Sequence, residues 1–253
     1  MAIQKTEAFV LKTQPLRSSS LIVTFFSRDF GKMKGIAKGV RREREVRGAL
    51  YELFTKLEIV YYEKLRSDLH LISEAAIVSS HDGLRMRLET ITFASYYAEL
   101  VDHVCEIYDP HPGIYELLDF ALRFLPSVPA AKLSRLFEIK LLREIGWIPY
   151  LKDCCACQTA ILEKGFFSIQ QGGLVCLQCV REFPDARPIS PEALATLRYF
   201  DAHVLEVSVR WHVPVKVLEE LDHLMRHFLI YRLGNELKSR RFLEQIQPLL
   251  PTA

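Results

Sequence analysis

The stretch Leu21-Ile-Val-Thr-Phe-Phe26, followed by Asp29-Phe-Gly31 and Lys32-Met-Lys-Gly-Ile-Ala-Lys38, decides the fold. Its first part is β-branched and aromatic, as strand residues are, and its middle is a turn signal. Its last part alternates lysines with small or apolar residues, the period of a strand with one polar face. On such a strand Lys32, Lys34 and Lys38 project from one face, and Met33 and the small residues pack on the other. Three more strand-like runs flank the stretch: Ala8–Leu11, Leu57–Tyr62 and His70–Val78. Five short strands with glycines at the bends suit a small closed barrel of the OB type over residues 1–80. An SH3-like barrel or a small sandwich has the same periodicity, which does not choose among them.

After about Ser80 the pattern turns helical. Leu84, Leu88, Ile91, Ala94 and Ala98 recur at helical spacing, as do Leu117 to Leu125 before Pro126. Leu133, Leu136, Phe137, Leu141 and Ile145 form a third stripe that ends at Gly146, with Pro149 beyond. Ser190-Pro191-Glu192 is a helix start, and Val217 to Phe228 is a further apolar stripe. The expected class is a multidomain α+β chain: an OB barrel over 1–80, then a helical domain over 81–253. A cysteine module over 150–183 interrupts the helical part.

Of six cysteines, five fall between Cys154 and Cys179. Cys154 with Cys157 and Cys176 with Cys179 form two C-x2-C pairs, and the spacer holds Phe166–Ile169 and Gly172-Gly173, a strand and a turn. Two such knuckles close a tetrahedral S4 site suited to one zinc ion. Four protein thiolates leave no open coordination position, so the expected zinc is structural. Cys155 fits the spacing less well, as a free neighbour or a local substitute. A redox dithiol is the alternative reading, and the paired arrangement argues against it. Cys105, alone in a helical segment, is expected to be a buried small hydrophobe. His223 and His227 lie one turn apart without an obvious third ligand, so a solvated or interface face is expected for them.

The net charge of +2 hides an uneven distribution. Residues 1–80 carry 14 Lys+Arg against 9 Asp+Glu, a net +5, and the remainder carries 19 against 22, a net −3. The excess centres on Lys32, Lys34, Lys38, Arg41, Arg42, Arg44 and Arg47, which predict a basic barrel face joined to a basic loop. OB barrels hold single strands in this way, with cations along the phosphates and aromatics against the bases. Phe25, Phe26, Phe30 and Tyr51 are the aromatics near that strand. A solvated edge that discourages aggregation is the competing reading. The start lacks a charged segment followed by an apolar core, and no apolar run approaches the ~18 residues of a membrane span. Together with clustered rather than dispersed cysteines, this predicts a cytoplasmic protein with no membrane contact.

Two segments resemble the RecO family of recombination mediators: Ser20-Leu-Ile-Val-Thr-Phe-Phe26 with Gly31-Lys-Met-Lys-Gly-Ile-Ala-Lys-Gly-Val-Arg41, and Leu141-Leu-Arg-Glu-Ile-Gly-Trp-Ile-Pro149 followed by the two cysteine pairs. The resemblance runs through almost the whole chain in order. It implies a nucleoid-associated DNA repair and recombination mediator, not an enzyme. Such a protein binds single- and double-stranded DNA and anneals complementary strands. It also contacts single-strand-binding protein and, with RecR, helps load RecA. Lys34, Lys38 and Arg41 match the family's DNA-binding barrel, and Cys154, Cys157, Cys176 and Cys179 match its zinc ligands. Two departures stand out: Gln158 replaces the glycine that usually follows the first knuckle, and Cys155 is extra.

The sequence has no G-x-x-x-x-G-K-[ST] loop, so annealing would proceed without ATP by neutralising both strands. Lys132, Arg135, Lys140 and Arg143 share one helical segment and are candidates for an acidic partner peptide. A zinc-stabilised interaction scaffold without annealing activity is the alternative function. A hydrolytic enzyme would need clustered carboxylates or an open metal site, and neither is legible.

Overall fold

The computed structural model describes residues 2–40, 49–64 and 67–246. Five strands, β1 (Ile3–Leu16), β2 (Ser20–Ser27), β3 (Gly31–Ala37), β4 (Lys56–Tyr62) and β5 (Leu69–Ser79), close into a barrel in the order β1-β2-β3-β5-β4. β3 and β5 run parallel and the other neighbours are antiparallel, which is the OB arrangement and not that of an SH3-like barrel or a sandwich. β1 is far longer than its apolar run Ala8–Leu11, because it must pair with both β2 and β4 to close the barrel. A bulge between Val10 and Lys12 bends it from one partner toward the other.

Burial alternates along β3 as the lysine pattern predicts: Gly31, Met33, Gly35 and Ala37 face in, and Lys32, Lys34 and Ile36 face out. Met33 joins Ala8, Val10, Val23, Phe25, Leu57, Ile59 and Tyr61 in the barrel core. Gly31 is required at the β2–β3 turn. Its φ is +65°, and a Cβ there would stand 2.1 Å from the Asp109 carbonyl oxygen.

The chain divides into two compact units, Met1–Pro126 with Phe242–Ala253, and Ser127–Arg241. In the first, α1 (Leu88–Val104) and α2 (Pro112–Phe124) accompany the barrel. Phe9 and Phe26, both fully buried on the outer side of the barrel, meet the Tyr115 ring of α2 at centroid distances of 5.0 and 6.3 Å. Lys56 lies over Phe9 and Tyr115 and pairs with Glu7 and Asp119, at 3.3 and 3.1 Å.

The second unit contains α3 (Ala130–Glu144), the sheet β7-β6-β8, and helices α4 (Pro191–Ala202), α5 (Leu205–Ser208) and α6 (Val215–Leu233). Strands β6 (Gly165–Ser168), β7 (Gly173–Val175) and β8 (Arg187–Ile189) form the cysteine module's sheet. α7 (Lys238–Ile246) follows in sequence. The N-cap of α4 is as predicted: the Ala193 N–H donates to Ser190 Oγ, and Glu220 accepts from both the Ser190 N–H and its hydroxyl. Among the described residues, no helix is long and apolar enough to cross a membrane.

Candidate functional site

The structure separates the predicted barrel cations. Lys32 faces outward, but its ammonium donates to the Asp102 carbonyl oxygen at 2.5 Å and pairs with the Asp102 carboxylate at 3.4 Å. The Tyr108 N–H donates to the Lys32 carbonyl oxygen, so the segment after α1 lies along this end of β3. Lys34 and Lys38 are exposed and form no ion pair among the described residues. Arg41, Arg42, Arg44 and Arg47 lie outside the described residues.

Sequence reasoning missed Lys12. It stands opposite Thr24, which stands opposite Lys34, so the three form one outward row across β1, β2 and β3. Lys12 is exposed and makes no ion pair among the described residues. Two strand spacings place Lys12 and Lys34 about 10 Å apart. That is about one screening length at physiological salt, so their fields reinforce each other. The signal was the alternation Lys12-Thr-Gln14 after the apolar run, obscured because the bulge shifts the register there.

The predicted stacking aromatics are a correction. Phe25 and Tyr51 are core residues, and Phe26 is fully buried beside Tyr115. Phe30 packs edge-on against Tyr61. Phe25, Phe30 and Tyr51 pack with the barrel core because the small barrel needs large rings to fill it, and Phe26, on the outer side, is covered by the Tyr115 ring. The open face of β1–β3 therefore offers cations, Gln14 and the half-buried Ile22 and Ile36 around a buried Thr24, not rings.

The second site is built by the two C-x2-C turns. The sulfurs of Cys154, Cys157, Cys176 and Cys179 all lie within 4.8 Å of one another, and Cys157 and Cys176 are 3.6 Å apart. A tetrahedral ion with bonds of about 2.3 Å needs sulfurs about 3.8 Å apart, so four thiolates in this arrangement fit one metal ion. The Gln158 N–H donates to the Cys154 carbonyl oxygen in the first turn, and the Cys179 and Val180 N–H groups donate to the Cys176 carbonyl oxygen in the second. Burial pushes the Cys154 thiol up, but N–H groups aimed at its sulfur outweigh that and bring it down; the Cys176 N–H is one, at 3.4 Å. The Thr159 contact at 3.2 Å, with the neighbouring thiols, lowers Cys157 to about 6. Contact with Cys157 and Cys176 raises Cys179 to about 12. Without a metal the cluster thus holds protons unevenly, and a bound cation would displace them.

Cys155 lies outside this cluster. Its N–H donates to the Leu174 carbonyl oxygen, and its sulfur lies against β7, 2.7 Å from where a Cβ on Gly173 would stand. Arg198 of α4 fixes the loop around the first knuckle by donating to the carbonyl oxygens of Leu151, Lys152, Ile161 and Leu162, at 2.8, 3.3, 2.5 and 3.1 Å. Cys105 is buried, as expected, and burial pushes its thiol up to about 12. His223 and His227 lie beside one another on α6 and belong to no group of three or more ligands among the described residues.

The four α3 cations predicted for a partner are engaged within their own unit. Arg135 is 1 % exposed, and donates to Asp222 at 2.5 Å and to Glu138 at 2.6 Å. Lys132 donates to the Val209 and Trp211 carbonyl oxygens, at 2.7 and 3.4 Å. Lys140 donates to the carbonyl oxygens of Asp201 and His203, and Arg143 pairs with the Asp201 carboxylate. A charged helical segment reads as a surface, but here neighbouring carboxylates and loop carbonyls make three of these cations clamps and one a core residue.

These features define a class: an OB-barrel protein with an open cationic row and a separate unit carrying a four-thiolate metal-site module. The family model described as Recombination protein O N terminal matches residues 1–81, and Recombination protein O C terminal matches residues 85–241. A DNA repair protein RecO from Syntrophus aciditrophicus (strain SB) is 34% identical over 251 residues, covering 97% of each chain. Those from Anaeromyxobacter sp. (strain Fw109-5) and Pelotomaculum thermopropionicum are 32% and 29% identical, covering 97% of this chain and 97% and 95% of theirs. The chain belongs to the RecO family.

Proposed function

We propose that this chain is a DNA repair and recombination mediator that binds single- and double-stranded DNA and anneals complementary strands without nucleotide hydrolysis. With RecR, it helps load RecA on strands coated by single-strand-binding protein. It acts in the cytoplasm at the nucleoid, and it holds DNA by charge rather than by breaking bonds. The observation that carries this reading is the row Lys12–Thr24–Lys34 with Lys38 beyond it, exposed lysines without an ion pair among the described residues on a closed OB barrel. The loop cations Arg41, Arg42, Arg44 and Arg47 extend the same charge in sequence. Neutralising phosphates on both strands lowers the repulsion that opposes pairing. One structural zinc on Cys154, Cys157, Cys176 and Cys179 orders the module over 150–183. The functional segments are 1–80 for DNA and 81–253, with that module, for protein partners.

Salt-dependent binding tests the barrel assignment. A face that neutralises about four to six phosphates gives a log–log slope of about −3 to −4 on single strands. The triple variant Lys12→Ala/Lys34→Ala/Lys38→Ala should flatten that slope by about 2, since each phosphate contact contributes about 0.7. Lys32→Ala should leave it unchanged, because Lys32 is already occupied by Asp102. An unchanged slope in the triple variant would refute the site. Annealing of complementary strands without nucleotide, with and without single-strand-binding protein, separates the mediator from a scaffold, which would give none.

A further inference from the structure

The second unit carries a ring ladder that the barrel assignment does not use. Tyr199 of α4 is stacked between two rings, His203 and Trp211, each with its centroid 4.0 Å away and nearly parallel, at 21° and 24°. One face of the Trp211 indole is thus covered, yet the residue remains 39 % exposed. The residue borders a cleft of about 470 Å³ whose lining also includes Tyr199, Val207, Arg210 and His212. Arg210 is exposed and has no ion-pair partner among the described residues.

The ladder is held from below. Lys132 grips the backbone at Val209 and Trp211, Lys140 grips it at Asp201 and His203, and Arg143 pairs with Asp201. His203 Nδ1 meets the Tyr199 carbonyl oxygen at 3.0 Å, and the buried Ser208 hydroxyl donates to the His203 carbonyl oxygen at 3.2 Å. Burial lowers the pKa of both Lys132 and Lys140, so these cations sit at a desolvation cost that the carbonyl contacts offset. A rigid aromatic platform, part-exposed beside a cleft and an adjacent guanidinium, is preorganised for a flat π ligand carrying an anionic group.

We infer that Trp211 is a nucleobase-stacking platform: a base of single-stranded nucleic acid continues the His203–Tyr199–Trp211 ladder, with Arg210 meeting its phosphate. The inference rests on the reading of the chain as a nucleic-acid binder but uses none of the barrel cations. It supplies the rings that the barrel face lacks. A nucleoside fits a cleft of this size, and a fourth ring at stacking distance repeats the spacing already present twice.

The chain has two tryptophans, so the full-length Trp147→Phe variant reports on Trp211 alone. Titration with a short oligothymidylate should quench its emission, and the quenching should persist when salt is raised and in the Lys12→Ala/Lys34→Ala/Lys38→Ala background at higher oligonucleotide concentration. Trp211→Ala should weaken single-strand binding about 5- to 150-fold, the range for losing one stacked base, with little change in the salt slope. Trp211→Phe should recover part of the loss, which separates stacking from folding. Unaltered emission with the oligonucleotide bound would overturn the inference, and so would an unchanged affinity in Trp211→Ala. Quenching by an acidic peptide and not by the oligonucleotide would assign the platform to a protein partner and overturn it too. The barrel reading fails separately, through its salt slope.

Discussion

Gln158 shows how a single residue carries a local cost. Its φ is +59°, in the left-handed region, because the chain must turn back there for its N–H to reach the Cys154 carbonyl oxygen. A side chain in that region costs roughly 1–2 kcal/mol, and glycine escapes most of it at some cost in unfolded-chain entropy. Gln158 is exposed and loses no packing on replacement. Gln158→Gly should therefore stabilise the metal-loaded chain by about 1 kcal/mol in denaturant unfolding, and a destabilised variant would show that the amide side chain matters. The departure at this residue was legible in the sequence, since glycine is the usual occupant, but its conformation was not. Arg135 was misread outright. A charge on a helix reads as surface unless its partners are known, and Asp222 lies 87 residues away. Burial pushes the Asp222 carboxyl up, but Arg135 and Arg240 outweigh it and hold it below its ordinary value. Removing Arg135 leaves buried Glu138 facing an incomplete set of partners. Arg135→Ala should cost about 3–5 kcal/mol by the same unfolding measurement, the range for breaking a buried pair.

At the scale of the element, periodicity carried what it physically can and no more. Alternation in β3 identified which side chains leave the barrel, because a strand's faces are fixed by its backbone. It could not say that Asp102 would occupy Lys32, since that contact spans 70 residues. The length of β1 was hidden for the same reason: closure, not local propensity, extends it over Ile3–Leu16. β5 adds a feature that no sequence pattern carries. His70 stacks on Tyr61; its Nδ1 accepts from the Lys64 N–H at 3.2 Å and its Nε2 meets the Tyr108 hydroxyl at 2.6 Å. A neutral ring satisfies both contacts, and a proton added at Nδ1 would face the Lys64 N–H. Burial holds both His70 and His81 below the ordinary value of 6.5. In the unfolded chain both protonate near 6.5, so below that pH the unfolded state binds protons that the folded state refuses. The unit Met1–Pro126 should therefore lose stability as pH falls below about 6.5 and gain nothing further above it. Urea midpoints across that range test this, and His70→Gln should reduce the slope. A midpoint that rises on acidification would contradict the assignment.

For the whole molecule, the net charge of +2 is a +5 segment over residues 1–80 and a −3 remainder, in a chain of two compact units. The order of elements, the strand-rich N-terminal segment and the four thiols were legible, because strand period, helix period and C-x2-C spacing are local signals; the OB topology was not legible from the period, since it depends on which strands pair. The ring ladder was not, because only Tyr199 and His203 are one helical turn apart, and Trp211 reaches the Tyr199 ring through the fold. The proposed division of labour between the units has a measurable consequence. A structural metal's binding free energy is folding free energy for the segment it closes. Metal analysis of the parent should find one zinc ion per chain, and Cys176→Ser should abolish it and lower the stability of the unit Ser127–Arg241. The cations proposed for the salt-dependent contact, Lys12, Lys34 and Lys38, belong to the other unit. The salt slope of single-strand binding should then be the same with and without the metal, even where absolute affinity falls. A slope that flattens on metal removal would mean that the cysteine module itself carries phosphate contacts, and the barrel would lose its claim to be the electrostatic site.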